Sequence, residues 1–144
     1  RLLGIDFGTR RLGFAISTPE QSMSCPLETW VRRTSNVDAR RLRELDDDYR
    51  IVGYVVGLPL HMNGDEGDSA HKARQFGRWL RQELGRPVAF WDERCSSAAA
   101  DTWMQEAELT RDRRKALRDR LAAHVILQSY LESRRPPEHQ PLES

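Results

Sequence analysis

The stretch Arg1-Leu-Leu-Gly-Ile-Asp-Phe-Gly8 decides the fold. Leu2, Leu3 and Ile5 are strand formers, and Gly8-Thr9 with Arg10 and Arg11 breaks the run before Leu12-Gly-Phe-Ala-Ile16 begins a second one. The two runs read as the first hairpin of a sheet. Asp6 is the anomaly, because a carboxylate inside an apolar strand must be paired, hydrated or bound to a cation to offset its desolvation.

Outward from this hairpin, Pro26-Leu-Glu-Thr-Trp-Val31 alternates again after a turn over 19–24, completing an antiparallel meander. Ala39, Leu42, Leu45 and Tyr49 then share one helical face, predicting a helix over 38–48 with Asn36 or Asp38 as N-cap. The unbroken apolar run 51–59 predicts a strand buried on both faces, central and parallel to the first. At its carboxyl end the loop 57–67 carries Gly57, Pro59, Gly64 and Gly67, at the edge of an open α/β sheet where sites form.

A helix over 68–84 follows, with Ala70, Ala73, Phe76, Leu80 and Leu84 on one face and Gly85 ending it, and then a fifth strand over 87–91. Ser96 or Ser97 can cap a third helix carrying Ala99, Ala100, Trp103 and Met104. A polar stretch over 109–115 and a fourth helix over 115–132 complete a domain over 1–133. The proline-containing end, 134–144, reads as a disordered tail. A meander plus two right-handed crossovers gives a five-stranded mixed α/β sheet in the order 3-2-1-4-5, flanked by helices.

At 144 residues the chain fits one domain with a substantial core. Its net charge of +1 neither demands nor excludes a polyanionic partner, so the distribution of charge matters more. Arginines cluster at 32–33, 40–43 and 111–120, and acids at 44–48 and 65–68. Cys25 and Cys95 make no metal-binding spacing and read as free thiols of a reducing cytoplasm. No run approaches the roughly 18 apolar residues of a membrane span, so no membrane partner is expected; a chain opening on Arg1 leaves a removed leader open.

The topology collects carboxylates. Asp92-Glu93-Arg94 ends the fifth strand beside the first and fourth, within reach of Asp6. Asp119 falls in the stripe of Ala116, Ala122, Ala123 and Ile126 that must face the sheet. Mutual repulsion among Asp6, Glu93 and Asp119 would raise one or more pKa values unless divalent cations compensated it, and hard oxygen ligands suit Mg²⁺ or Mn²⁺. Metal-assisted phosphodiester hydrolysis, with two ions serving the attacking water and the leaving oxygen, is the chemistry such a site supports.

Gly4-Ile-Asp-Phe-Gly-Thr9 with Arg11-Leu-Gly13, Val56-Gly-Leu-Pro59 with Asn63-Gly-Asp-Glu-Gly67, Asp92-Glu-Arg94, and Asp119 with Leu121-Ala-Ala123 and Ile126-Leu-Gln128 resemble the YqgF-type (RuvX-like) family of the ribonuclease H-like superfamily. The motifs keep the family's order from Leu2 to Leu131. The resemblance implies a ribonuclease H-like fold and a bacterial cytoplasmic protein described as a Holliday-junction resolvase or, alternatively, a nuclease maturing the 5′ end of pre-16S ribosomal RNA. Catalytic metal-ligand roles carry over to Asp6 and Asp119. Related resolvases place a glutamate on the fourth strand, where this chain has Gly57-Leu58; Glu93 is the substitute, with Asp92 and Glu66 as alternates.

Thr9, Arg10, Arg11, Arg94 and His61 flank this arrangement as candidate substrate contacts, the arginines neutralising phosphates. Each residue has a structural competitor. Asp6 could cap the turn at Gly8-Thr9, Asp119 could pair with an arginine, and Asp92-Glu93-Arg94 could be an exposed strand end. For one acid alone an ion pair is the commoner reading, and three in convergent positions reverse it. Trp79, Trp91 and Trp103 read as core by their place in apolar stripes, Trp30 as more exposed, and His124 as structural. RNA is favoured over DNA from the resemblance, and the chain is expected as a monomer or a homodimer, which symmetric junction cutting would require. A non-catalytic nucleic-acid-binding module is the alternative of another class. Actin-like kinases share the Gly4–Thr9 pattern but need a duplicated domain for which this chain has no room.

Overall fold

Strand alternation sorts the residues of the first hairpin between two layers. The computed structural model describes residues 1–61, 63–93 and 111–134, apart from the side chain at 112. In β1 (Leu2–Phe7), Leu3, Ile5 and Phe7 face one side of the sheet, and Leu2, Gly4 and Asp6 the other. β2 (Arg11–Ser17) pairs antiparallel with β1, placing Gly13 opposite Asp6 and Ala15 opposite Gly4. β3 (Ser24–Val31) completes the meander through a register shift between Phe14 and Ala15.

β4 (Gly53–Leu58) lies parallel to β1, and β5 (Val88–Asp92) parallel to β4, giving the order β3-β2-β1-β4-β5 that the meander and crossovers require. Every residue of β4 is buried, as expected of a strand covered on both faces. One face packs under α1 (Ser35–Tyr49) and α2 (Asp68–Leu84), around Leu3, Ile5, Phe14, Leu42, Tyr54, Val56, Phe76 and Leu80. The other lies under α3 (Arg111–Ser133), against Ala15, Val55, Ala123, Ile126, Leu127 and Leu131.

The second interface is thin because glycines make it so. A Cβ on Gly4 would stand 2.7 Å from the Leu127 Cβ, and one on Gly13 would run into the Asp119 backbone, so these two positions let α3 settle directly on the strands. Asp119 thereby comes down beside Asp6.

Three local expectations are corrected. Thr34, not Asn36 or Asp38, caps α1 by accepting from the Val37 amide, while the buried Asp38 accepts from the Arg33 amide and so secures the entry to the helix. Trp30 is only 4% exposed, in a tilted ring contact with Phe14 at 4.4 Å and donating its indole N–H to Glu28, because the register shift turns it into the core. The polar segment before the last helix is already helical from Arg111, one turn earlier than hydrophobic periodicity can show. Gly85 ends α2 in the left-handed conformation, as expected. The expected helix from Ser96 or Ser97, Arg94, Cys95 and the tail beyond Arg134 lie outside the described residues.

Candidate active site

Asp6 is the next-to-last residue of β1, on the face covered by α3, and the glycine opposite it on β2 admits Asp119 from above. Glu93 follows the end of β5 and folds back over β4. There its Cγ and carboxylate occupy the space that a Gly57 side chain would take, with Ile126 closing the far side. Three acids from the first strand, the fifth strand's end and the last helix thus meet at one edge of the sheet.

Burial pushes the Asp6 carboxyl well above the ordinary carboxylate range, and the negative charges of Glu93 and Asp119 push it further; Arg118 opposes them. Burial also raises Glu93, with Asp92 adding to it, while a hydrogen bond with Asp6 pulls the other way. Both carboxyls are thus raised, and the pair holds protons more tightly than free carboxyls do.

Asp119 has a different partner. Arg11, from the start of β2, donates its Nε to Asp119 Oδ2 at 2.7 Å. The Asp119 side chain is 16% exposed and that of Arg11 33%, so the carboxylate is the more enclosed member and the guanidinium keeps access to water. Among the described residues no three side chains already stand in metal-binding geometry. The donor chemistry nevertheless fits a hard divalent cation: three carboxylates crowd together, two of them raised by burial and the third paired with an arginine that keeps access to water.

The remaining sequence candidates divide. Thr9 and Arg10 are exposed on the β1–β2 turn beside the acids. Asp92 lies next to Glu93 and in the ladder opposite Leu58. Glu66 is engaged elsewhere by a two-point pair with Arg74, at 2.7 Å for both bonds, on the loop closed by the Leu60–Glu66 bridge. His61 packs its ring on Gly67 in that loop. His124 meets Ser24 Oγ at 2.7 Å across the helix–sheet interface, a structural contact.

Two contributors escaped the sequence reading. Arg118 is a positive charge acting on Asp6, signalled only by its place next to Asp119. Gly13 stands in a family motif, but its role in admitting Asp119 shows only in its register opposite Asp6 beneath the helix.

A relative from Koribacter versatilis (strain Ellin345), named "Putative pre-16S rRNA nuclease", is 40% identical over 144 residues, which covers all of this chain and 94% of the relative. One of the same name from Cereibacter sphaeroides (strain KD131 / KCTC 12085) is 45% identical over 91% of this chain and 82% of its own. Among solved structures, T. thermophilus RuvC in complex with Holliday junction substrate superposes with a TM-score of 0.55 at 20% identity, covering 92% of this chain and 94% of that one, and shares the ribonuclease H-like fold. The family model described as "RuvX: Holliday junction resolvase" matches residues 1–133. With its sheet order, its motifs and its whole described length in agreement, the chain belongs to the RuvX family of nucleases.

Proposed function

We propose that this chain is a divalent-metal-dependent endonuclease that processes the 5′ end of pre-16S ribosomal RNA in the cytoplasm. The observation that carries the reading is the convergence of Asp6, Glu93 and Asp119, the first two raised by burial. The names of the relatives support the substrate. Mg²⁺ or Mn²⁺, when bound, supplies Lewis acidity for the attacking water and charge for the leaving oxygen.

The residues do the rest. Asp6 and Glu93, once ionised, present oxygens towards the sheet edge, and Asp119 joins them when Arg11 lets go. Arg11, released on a strand start that faces solvent, then meets a phosphate of the substrate, with Arg10 beside it on the turn. Arg118 limits the repulsion among the acids before the substrate arrives.

The test offers purified protein a labelled precursor-like RNA, an unstructured RNA and a four-way DNA junction, each with Mg²⁺ or Mn²⁺ and with chelator. Metal-dependent cutting of the precursor RNA in preference to the junction is expected. Symmetric cutting of the junction by a dimer, with inert RNA, would instead support resolution, the activity given in the family's description.

A further inference from the structure

Asp6 and Phe7 are consecutive on β1 and therefore face opposite sides of the sheet. Behind Phe7, on the side away from the acids, lies a cavity of about 330 Å³. Its wall is aromatic: Phe7 meets Phe76 at 4.9 Å between ring centroids, and Phe76 meets Trp79 at 5.6 Å, so three rings run in series along one side. Lys72, Gln75, Phe76 and Trp79 are spaced on one face of α2, presenting an ammonium and an amide at the rim above the rings.

Arg32 covers part of this wall. Its guanidinium lies 5.1 Å from the Phe7 ring centroid and 5.7 Å from that of Phe76, and reaches the Asp38 carboxylate only at 4.0 Å. Its Nε is buried without a hydrogen-bond partner. With Lys72 the cavity carries two positive charges against the one negative charge of Asp38, and Thr9 and Ser35 add hydroxyls. A purely apolar ligand would desolvate these charges with no return; a flat π-system bearing a single negative charge matches rings and cations together.

We propose that this cavity binds one unpaired nucleotide of the substrate strand, its base against Trp79 and the Arg32 guanidinium that covers Phe7 and Phe76, and its phosphate beside Lys72. Thr9 belongs both to the cavity lining and to the turn that carries the chain away from Asp6. A single strand crossing that turn with one phosphate at the acids therefore delivers a neighbouring nucleotide to the rings. The inference rests on the nuclease reading above and adds to it a requirement for an unstacked base beside the cut.

The experiment measures binding of a short fluorescent RNA to the full chain in chelator, with an abasic position moved along the strand, and cleavage of the same strands with Mg²⁺. One abasic position near the cut weakens binding by roughly 5- to 100-fold, the range expected for losing one stacked base. Lys72→Glu and, separately, Gln75→Ala raise KM, leave kcat within about twofold, and shrink the difference between intact and abasic strands. Arg78→Glu, an equal charge change at an exposed position on the same helix, keeps that difference. Lys72 and Gln75 are exposed, so unchanged melting curves certify the fold of both variants.

Indifference to the abasic position, or a difference that persists undiminished in both variants, would overturn the proposal. So would free AMP that binds in a Lys72-dependent way without displacing the strand, since the cavity would then be an effector site. Failure of the nuclease reading looks different: a strand bound with the abasic and Lys72 signatures but never cut.

Discussion

The Glu93 carboxylate lies over Gly57, filling the place that a side chain on β4 would occupy. A residue beyond the end of the fifth strand thereby delivers its acid to the middle of the sheet edge.

Replacing Gly57 with alanine tests this arrangement. The new methyl would stand 2.5 Å from Ile126 Cδ1 and 2.9 Å from Glu93 Cγ, so both must shift. We expect a loss of about 1–3 kcal/mol of stability from overpacking and a fall in cleavage approaching that of Glu93→Gln. Full activity in Gly57→Ala, measured beside thermal melts, would show that the position of Glu93 does not matter.

Asp6→Asn should abolish metal-dependent cleavage by orders of magnitude while stabilising the metal-free protein. The folded-state pKa of Asp6 is raised above its ordinary 3.8, so the native state holds this proton more tightly than the unfolded state does. Wild-type stability therefore declines as pH climbs from the ordinary value through the raised one, and at neutral pH the variant escapes that cost. Melting curves in chelator should place Asp6→Asn above wild type at pH 7, with the gap closing below the ordinary pKa. A variant that melts lower at pH 7 would mean that Asp6 is a structural anchor.

The raised Asp6 and Glu93 carboxyls must be ionised when a cation binds, so metal affinity should rise with pH across the range in which they titrate. Calorimetric Mn²⁺ titrations in buffers of different ionisation enthalpy read the released proton directly. Equal heats in all buffers would place the metal elsewhere.

Arg11 and Asp119 make a pair whose two halves should separate by assay. Arg11→Leu frees Asp119 and is expected to tighten Mn²⁺ binding while weakening the affinity for RNA. Asp119→Asn removes cleavage yet costs only about 1 kcal/mol, because the arginine left behind is a third exposed and water can solvate it. A much larger loss of stability, with cleavage retained, would make the pair purely structural.

On the far side of the molecule, Asp46 accepts from the Tyr54 hydroxyl at 2.8 Å and from Arg86 at 3.1 Å. Burial first, and then Asp46, drive the Tyr54 hydroxyl far above its ordinary range, so it stays a donor at any working pH. Asp46→Ala should cost about 2–4 kcal/mol by stranding that buried hydroxyl, with metal-dependent kcat unchanged in the folded fraction. Loss of kcat at temperatures where the variant is folded would contradict this separation of core from site.

What the sequence by itself determined was the order of the sheet and the identity of the crowded acids. The Leu2–Phe7 alternation, the unbroken apolar run through β4 and the Gly85 stop are local patterns with local causes, and each maps directly onto an observed element. Asp6 and Asp119 announced themselves by sitting where apolar residues belong. Only the tertiary structure decided which contacts these acids make, because contacts across a sheet depend on register and on the closeness of layers, which no window of residues encodes. Gly13 and Gly57 acquire their meaning from Asp119 and Glu93 packed against them, Trp30 is buried by a one-residue register shift, and Arg11 finds Asp119 across 108 positions of chain. The cavity behind Phe7 is of the same kind: its rings were legible as core, and its charges became neighbours only when α1 and α2 packed on the sheet.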